Sequence, residues 1–294
     1  MMNKYKSFGG KNEKSFRYKH NTPCNGKHGV TFNKGLGQNF LIDPEVCPAM
    51  AENADIDENT CVIEIGPGVG VLTAELAKKA GKVLSFEVDK RLLPVLSETL
   101  DEFDNVEIIN QDILKADLKS IIEEKCGDMK VAVCANLPYY ITSPVIMMLL
   151  ESKLPLTSIT VMVQKEAGDR LCADVGSRDG GAVTVAVCYY AEAEELFYVP
   201  RTSFLPPPNV DSCVIKLKVR EKPPVEINDE NYFFKVVKSA FLQRRKTAEN
   251  SLSAGLSKPK AEVKEALEKA GLPSNVRAEN LTMKDFALLA EYLS

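Results

Sequence analysis

Residues 61–70 read Cys61-Val62-Ile63-Glu64-Ile65-Gly66-Pro67-Gly68-Val69-Gly70. The apolar run that opens this stretch has the composition of a buried strand, and it breaks into glycine at every second position from Gly66 to Gly70. Glycine permits backbone angles closed to other residues and lets the chain pass close to a ligand, because no Cβ intervenes. Val71 to Ala80 then predicts a helix, with Leu72 and Leu76 on one face and Gly81 as its stop. Strand, glycine turn and helix in that order form a ligand-binding edge of an open α/β sheet. The spacing departs from the G-x-G-x-x-G of dinucleotide loops. The third glycine follows the second after one residue, and an acid, Glu64, precedes the first by two.

The neighbouring strands can be read downstream. Lys82-Val83-Leu84-Ser85-Phe86 predicts a second strand ending in Glu87, 21 positions after Gly66. An acid at that distance, at a strand's carboxyl end, sits where it accepts hydrogen bonds from ribose hydroxyls. Val106 to Ile109 predicts a third strand, after which Asp112 would reach an adenine amino edge. Lys130 to Ala135 predicts a fourth, ending in Asn136-Leu137-Pro138-Tyr139. Ile159–Val163 and Glu195–Val199 predict further strands, and a helix is expected over Gly181–Tyr190. Val214–Val219, with Ile215 and Leu217 alternating against Lys216 and Lys218, is expected to close the sheet. The expected fold is α/β, a doubly wound Rossmann-like sheet over residues 33–220. A charged, proline-containing linker, Arg220 to Asn228, leads to a small all-helical domain over 221–294, with helices at Tyr232–Gln243, Lys260–Ala270 and Met283–Leu293.

Composition narrows the function classes. Both histidines, His20 and His28, lie near the start of the chain, so histidine-based acid–base or triad chemistry in the body is not expected. The eight cysteines include no C-x-x-C pair and read as reduced, buried small hydrophobes, so neither a disulfide framework nor a metal site is expected. No apolar run reaches membrane-span length and no signal peptide is apparent, which points to a cytoplasmic protein without a membrane partner. Net charge is −4, but it is unevenly spread: residues 1–34 carry +7, leaving −11 on the other 260. The tail over residues 1–32 is expected to be disordered and basic, suited either to phosphate backbones or simply to keeping the chain in solution. A second basic cluster, Lys235, Lys238, Arg244, Arg245 and Lys246, has no acid among its residues, and Phe234, Val237 and Phe241 would form the apolar face beneath it.

Two motifs carry a resemblance. The E-x-G-x-G-x-G run is similar to the cofactor loop of S-adenosylmethionine-dependent methyltransferases. Asn136-Leu137-Pro138-Tyr139 resembles the N-[LIP]-P-Y motif of methyltransferases that act on an exocyclic base amine. The residue types suit that chemistry. The adenine N6 lone pair is delocalised into the ring, so the amine is a poor nucleophile. An amide oxygen and a backbone carbonyl that accept its two hydrogens pull the nitrogen toward tetrahedral geometry. Pro138 stiffens the turn, and Tyr139 offers a face for a flipped base.

From about residue 33 to the C-terminus the chain resembles the KsgA/RsmA family of ribosomal RNA adenine dimethyltransferases. Three further stretches carry this: Leu36-Gly37-Gln38-Asn39-Phe40-Leu41, the segment from Phe204-Leu205-Pro206-Pro207-Pro208 to Asn209-Val210-Asp211-Ser212, and Phe241-Leu242-Gln243-Arg244-Arg245-Lys246. The resemblance implies S-adenosylmethionine as cofactor and dimethylation at N6 of two adjacent adenosines near the 3′ end of small-subunit rRNA, with a role in subunit biogenesis. It implies cofactor contacts from Asn39, Leu41, Gly66, Gly68, Glu87, Asp112 and Asn136. Asn136 and the Leu137 carbonyl would hold the amine, Tyr139 and Phe204 would sandwich the base, and Arg244, Arg245 and Lys246 would meet RNA or the pre-assembled small subunit. Gln111 stands where the family often has glycine. The macrolide-resistance methyltransferases of large-subunit RNA are a close rival, disfavoured by the C-terminal helical stretch. A scaffold role in ribosome assembly is a reading of a different class.

Overall fold

A parallel neighbour can be reached only by a crossover, and helices supply the crossovers in this chain. The computed structural model describes residues 40–243 and 245–294, with Phe40 described by its backbone alone. Asn39, Arg244 and the basic segment 1–32 therefore lie outside the described residues. The strands are β1 Phe40–Leu41, β2 Thr60–Ile65, β3 Lys82–Phe86, β4 Val106–Ile109, β5 Lys130–Asn136, β6 Leu156–Gln164, β7 Ala191–Val199, β8 Phe204–Leu205 and β9 Ser212–Val219. The helices are α1 Val46–Glu52, α2 Val71–Ala77, α3 Leu93–Thr99, α4 Leu118–Lys125, α5 Thr142–Glu151, α6 Lys165–Leu171 and α7 Ala182–Tyr190, then α8 Glu230–Ala240, α9 Ala248–Leu256, α10 Lys260–Lys269 and α11 Met283–Tyr292.

The sheet has seven strands in the order β4-β3-β2-β5-β6-β9-β7, the doubly wound α/β arrangement expected. Strands β4 through β6 run parallel, while β9 is antiparallel to both β6 and β7. Every residue of β2 is buried. Cys61, Ile63 and Ile65 enter the core on one face and Val62 the core on the other, which is why the strand reads as a continuous apolar run and not an alternating one. A third core joins α8–α11 to Val185, Ala186 and Tyr189 of α7. There the Tyr190 and Phe234 rings stack with centroids 5.4 Å apart, and the Tyr190 hydroxyl donates to Glu230 Oε1 at 2.7 Å.

Four local expectations are corrected. Helix α2 ends at Ala77, where the Asn105 side chain donates to the Ala77 carbonyl (2.9 Å) and to that of Ala80 in the turn beyond (2.8 Å). Gly81 is not that helix's stop: a Cβ there would lie 2.1 Å from the Glu58 carbonyl oxygen, so glycine is required by close approach. The final strand, β9, does not close the sheet but inserts between β6 and β7, leaving β7 at the edge. Cys61 and Cys126 are not reduced: they form a disulfide, with Cα atoms 5.7 Å apart across 65 residues of chain, a proximity that spacing alone does not reveal.

Candidate active site at the carboxyl edge of the sheet

The chain leaves β2 for β3 and β4 on one side, then crosses back to β5 on the other, so the sheet's switch point lies between β2 and β5. Open parallel sheets bind ligands in the crevice outside that point. The loops that meet there are Gly66–Gly70 and Asn136–Tyr139. A Cβ built on Gly66 would come within 3.9 Å of Pro138 Cδ, so the two loops are in near contact. Gly66, Gly68 and Gly70 have φ of 70°, 61° and 90°, angles that favour glycine at all three positions. The Gly66 N–H donates to Phe86 O at 2.9 Å, which ties the loop to β3.

Behind the loop sits Glu64, 1% exposed. Its Oε2 accepts from Thr73 Oγ1 of α2 (2.6 Å) and from Ser85 Oγ of β3 (2.8 Å), so one carboxylate joins the three elements that frame the glycine turn. Burial pushes the Glu64 carboxyl up to about 7, opposed by the two hydroxyls, while the Glu87 charge adds to the rise. Glu64 is visible in sequence as the acid before the first glycine, but its buried partners are not.

Glu87 follows β3 directly and is also buried. Its Oε1 accepts the Asp89 N–H at 2.7 Å. Burial raises its carboxyl above the usual range, and the amides of Asp89, Val88 and Gly68 work against that rise. Asp112 follows β4, and its Oδ1 accepts the Leu114 N–H at 3.1 Å, capping the single helical turn Ile113–Lys115.

Asn136 ends β5 and is half-buried. Its side-chain amide makes no hydrogen bond among the described residues, so it is not committed to holding the fold. Tyr139 is also half-buried, and its hydroxyl lies 2.8 Å from Ser212 Oγ. Burial raises the phenol above its ordinary range, and the Ser212 contact opposes the shift. Leu41 pairs with Phe204 across the β1–β8 ribbon. The Phe204 ring is 3% exposed and belongs to the core between the sheet and helices α1 and α2, so stacking a base on it requires the covering chain to move. Lys235, Lys238, Arg245 and Lys246 are exposed in the helical region, with Lys238 Nζ 3.9 Å from Glu151. Among the described residues no helix is long and apolar enough to cross a membrane, and no cluster of three or more potential metal ligands occurs.

The family model of ribosomal RNA adenine dimethylase matches residues 29–294. The chain is 49% identical over 271 residues to the ribosomal RNA small subunit methyltransferase A of Bacillus pumilus, covering 91% of this chain and 93% of that one. It is equally similar, 49% over 272 residues, to the protein of the same name in Streptococcus gordonii, again covering 91% and 93%. Among solved structures, a dimethyladenosine transferase from Plasmodium falciparum superposes with a TM-score of 0.71 at 25% identity, over 85% of this chain and 95% of the other. The 23S rRNA methyltransferase ErmE gives 0.66 at 30% identity, over 87% and 99%. A glycine loop and an N-L-P-Y turn facing each other across the switch point, in a chain matched this extensively, establish that the protein belongs to the ribosomal RNA adenine dimethylase family of S-adenosylmethionine-dependent methyltransferases.

Proposed function

We propose that the chain methylates N6 of two adjacent adenosines near the 3′ end of small-subunit ribosomal RNA to N6,N6-dimethyladenosine, acting on the pre-assembled small subunit in the cytoplasm. The observation that carries this reading is the placement of Asn136-Leu137-Pro138-Tyr139 beside Gly66 at the end of adjacent parallel strands. The relatives at 46–49% identity are named for the small subunit, whereas ErmE, named for 23S rRNA, stands at 30%.

The residues at the edge fit S-adenosylmethionine. A buried Glu87 carboxylate suits ribose hydroxyls, glycines without Cβ atoms leave room for the amino-acid end, and Leu41, Gly66, Gly68, Asp112 and Asn136 line the remaining contacts, with Asn39 beyond the described residues. When bound, the cofactor supplies a methyl group on a sulfonium, an electrophile whose leaving group is neutral. The chain's own task is to present the amine. Asn136 Oδ1 and the Leu137 carbonyl accept the two N6 hydrogens and free the lone pair. Pro138 restricts the turn that aims the carbonyl. Tyr139 holds the flipped base by its face, with Phe204 as a second face once uncovered. The part over 33–220 performs the transfer, and the helical part over 221–294 meets the subunit through Arg245, Lys246 and Arg244, which lies beyond the described residues.

The test presents under-methylated small and large subunits with labelled cofactor, followed by mass spectrometry of the adenosines. Dimethyladenosine in small-subunit RNA alone is expected. Transfer to large-subunit RNA, or none to adenine N6, overturns the assignment.

A further inference from the structure

Strand β9 opens with Ser212-Cys213-Val214-Ile215, a run with no exposed member. A hydroxyl buried in such a run costs free energy unless it is partnered. Among the described residues the side-chain partner of Ser212 is Tyr139, 73 positions earlier, at 2.8 Å. The serine is well placed as an anchor. Its backbone pairs with Gln164 of β6 on one side and Val199 of β7 on the other. The preceding residue is also fixed: the Asp211 carbonyl accepts from Lys165 N at 3.0 Å, and its carboxylate accepts from Arg201 N at 2.9 Å. Tyr139, by contrast, begins a single helical turn on a loop, and its ring is free to rotate about two torsions unless its tip is held.

We propose that Ser212 is a positioning residue for methyl transfer: from the start of β9, paired with a strand on each side, it holds the Tyr139 hydroxyl and so sets the plane of the ring on which the target adenine stacks. This rests on the reading of Tyr139 as the stacking face. The adenine need not touch Ser212. A tilted phenol leaves the base bound but its N6 out of line with Asn136 Oδ1 and the Leu137 carbonyl. The loss therefore falls on turnover. Subunit affinity, which the basic surface supplies, is spared, and so is cofactor affinity, which Glu87 and the glycine loop supply.

The experiment compares Ser212→Ala, Tyr139→Phe, the double variant and Tyr139→Ala in steady-state methylation of under-modified small subunits, with cofactor affinity by calorimetry. Ser212→Ala and Tyr139→Phe are each expected to lower kcat about five- to tenfold, the scale of one hydrogen bond, with the KM for subunits and the Kd for cofactor within about twofold of the parent. The double variant is expected to be no worse than either single one, because each removes the same bond. Tyr139→Phe alters only a loop side chain, so it reads the bond even if Ser212→Ala folds poorly. Parental kcat in Tyr139→Phe, or losses that multiply in the double variant, overturns the proposal. Parental kcat in Tyr139→Ala instead overturns the stacking role of Tyr139 on which it rests.

Discussion

Leu41 and Phe204 are register partners in a two-residue antiparallel ribbon, so the chain proposed to touch the cofactor is hydrogen-bonded to the chain proposed to receive the base. The ribbon continues past Leu41: the Ile42 N–H donates to the Ser203 carbonyl at 2.8 Å, and Ser203 Oγ donates to Asp43 Oδ2 at 3.0 Å. Loosening it should weaken both subsites together. Ser203→Ala is expected to raise the KM for cofactor and for subunits by a similar few-fold factor, on the order of one hydrogen bond. Initial-rate kinetics with each substrate varied checks this, and a change in one KM alone counts against the coupling.

Asn136 has a different expectation, because among the described residues its side-chain amide makes no hydrogen bond. Asn136→Ala should lower kcat by about a hundredfold or more, the scale seen when one polar group aimed at a reacting centre is removed. Unfolding midpoints and small-subunit binding should stay close to the parent. Normal turnover in this variant would falsify the catalytic assignment.

The buried Glu64 carboxyl predicts a pH dependence of stability. Its pKa is raised by burial from 4.5 to about 7, so the folded chain holds this proton more tightly than the unfolded chain. The stabilisation is complete below pH 4.5 and is lost as pH rises to about 7, a change of about 3 kcal/mol. Glu64→Gln keeps an oxygen to accept from Thr73 and Ser85 but cannot ionise. Denaturant titrations should show the variant matching the parent near pH 5 and exceeding it at pH 8. Parallel curves across that range rule the account out.

Helices α8 and α9 cross so closely that a Cβ at Gly255 would sit 2.5 Å from Ser239 Cβ and 2.8 Å from its Cα. Backbone cannot yield as a flexible side chain can. Gly255→Ala should cost about 1–3 kcal/mol in unfolding free energy, against the usual benefit of alanine in a helix. A stabilised variant in thermal denaturation would show that the two helices separate readily.

Arg245 and Lys246 are exposed, and their role at the subunit should be electrostatic. Replacing both with alanine is expected to weaken small-subunit binding about tenfold or more at low salt. The slope of log affinity against log salt should fall by about one for each phosphate no longer neutralised. An unchanged slope measured across several salt concentrations would place the RNA-binding surface elsewhere.

The inner parallel strands β2 and β5 are readable in the chain because they are buried along nearly their whole length and so carry mostly apolar residues, whereas β4, at the edge of the sheet, is only half-buried and reads Val106-Glu107-Ile108-Ile109. The glycines at 66, 68 and 70 are equally plain, since a positive φ leaves a mark on residue type. Glu87 and Asn136 can be placed at one edge for the same reason: parallel strands share a carboxyl end. Helix α9 leaves no such mark as a separate element. Its sequence, Ala248-Glu249-Asn250-Ser251-Leu252-Ser253-Ala254-Gly255-Leu256, interrupts its good helix formers with Asn250, Ser251, Ser253 and Gly255, and Leu252 and Leu256 are buried in the core of the helical region.

Residue order along the chain, then, was enough for most of the elements, the fold class and the loops that carry chemistry, because propensity and burial period act over a few residues. It was silent on the joining of Tyr139 to Ser212, Glu64 to Thr73 and Ser85, Cys61 to Cys126, Asn105 to the end of α2, and Leu41 to Phe204. Those pairings link residues 9 to 163 positions apart, and they exist only once β9 inserts between β6 and β7 and the crossovers stack the helices on the sheet. Strand order is a property of the whole packed core, and no local run of side chains encodes it.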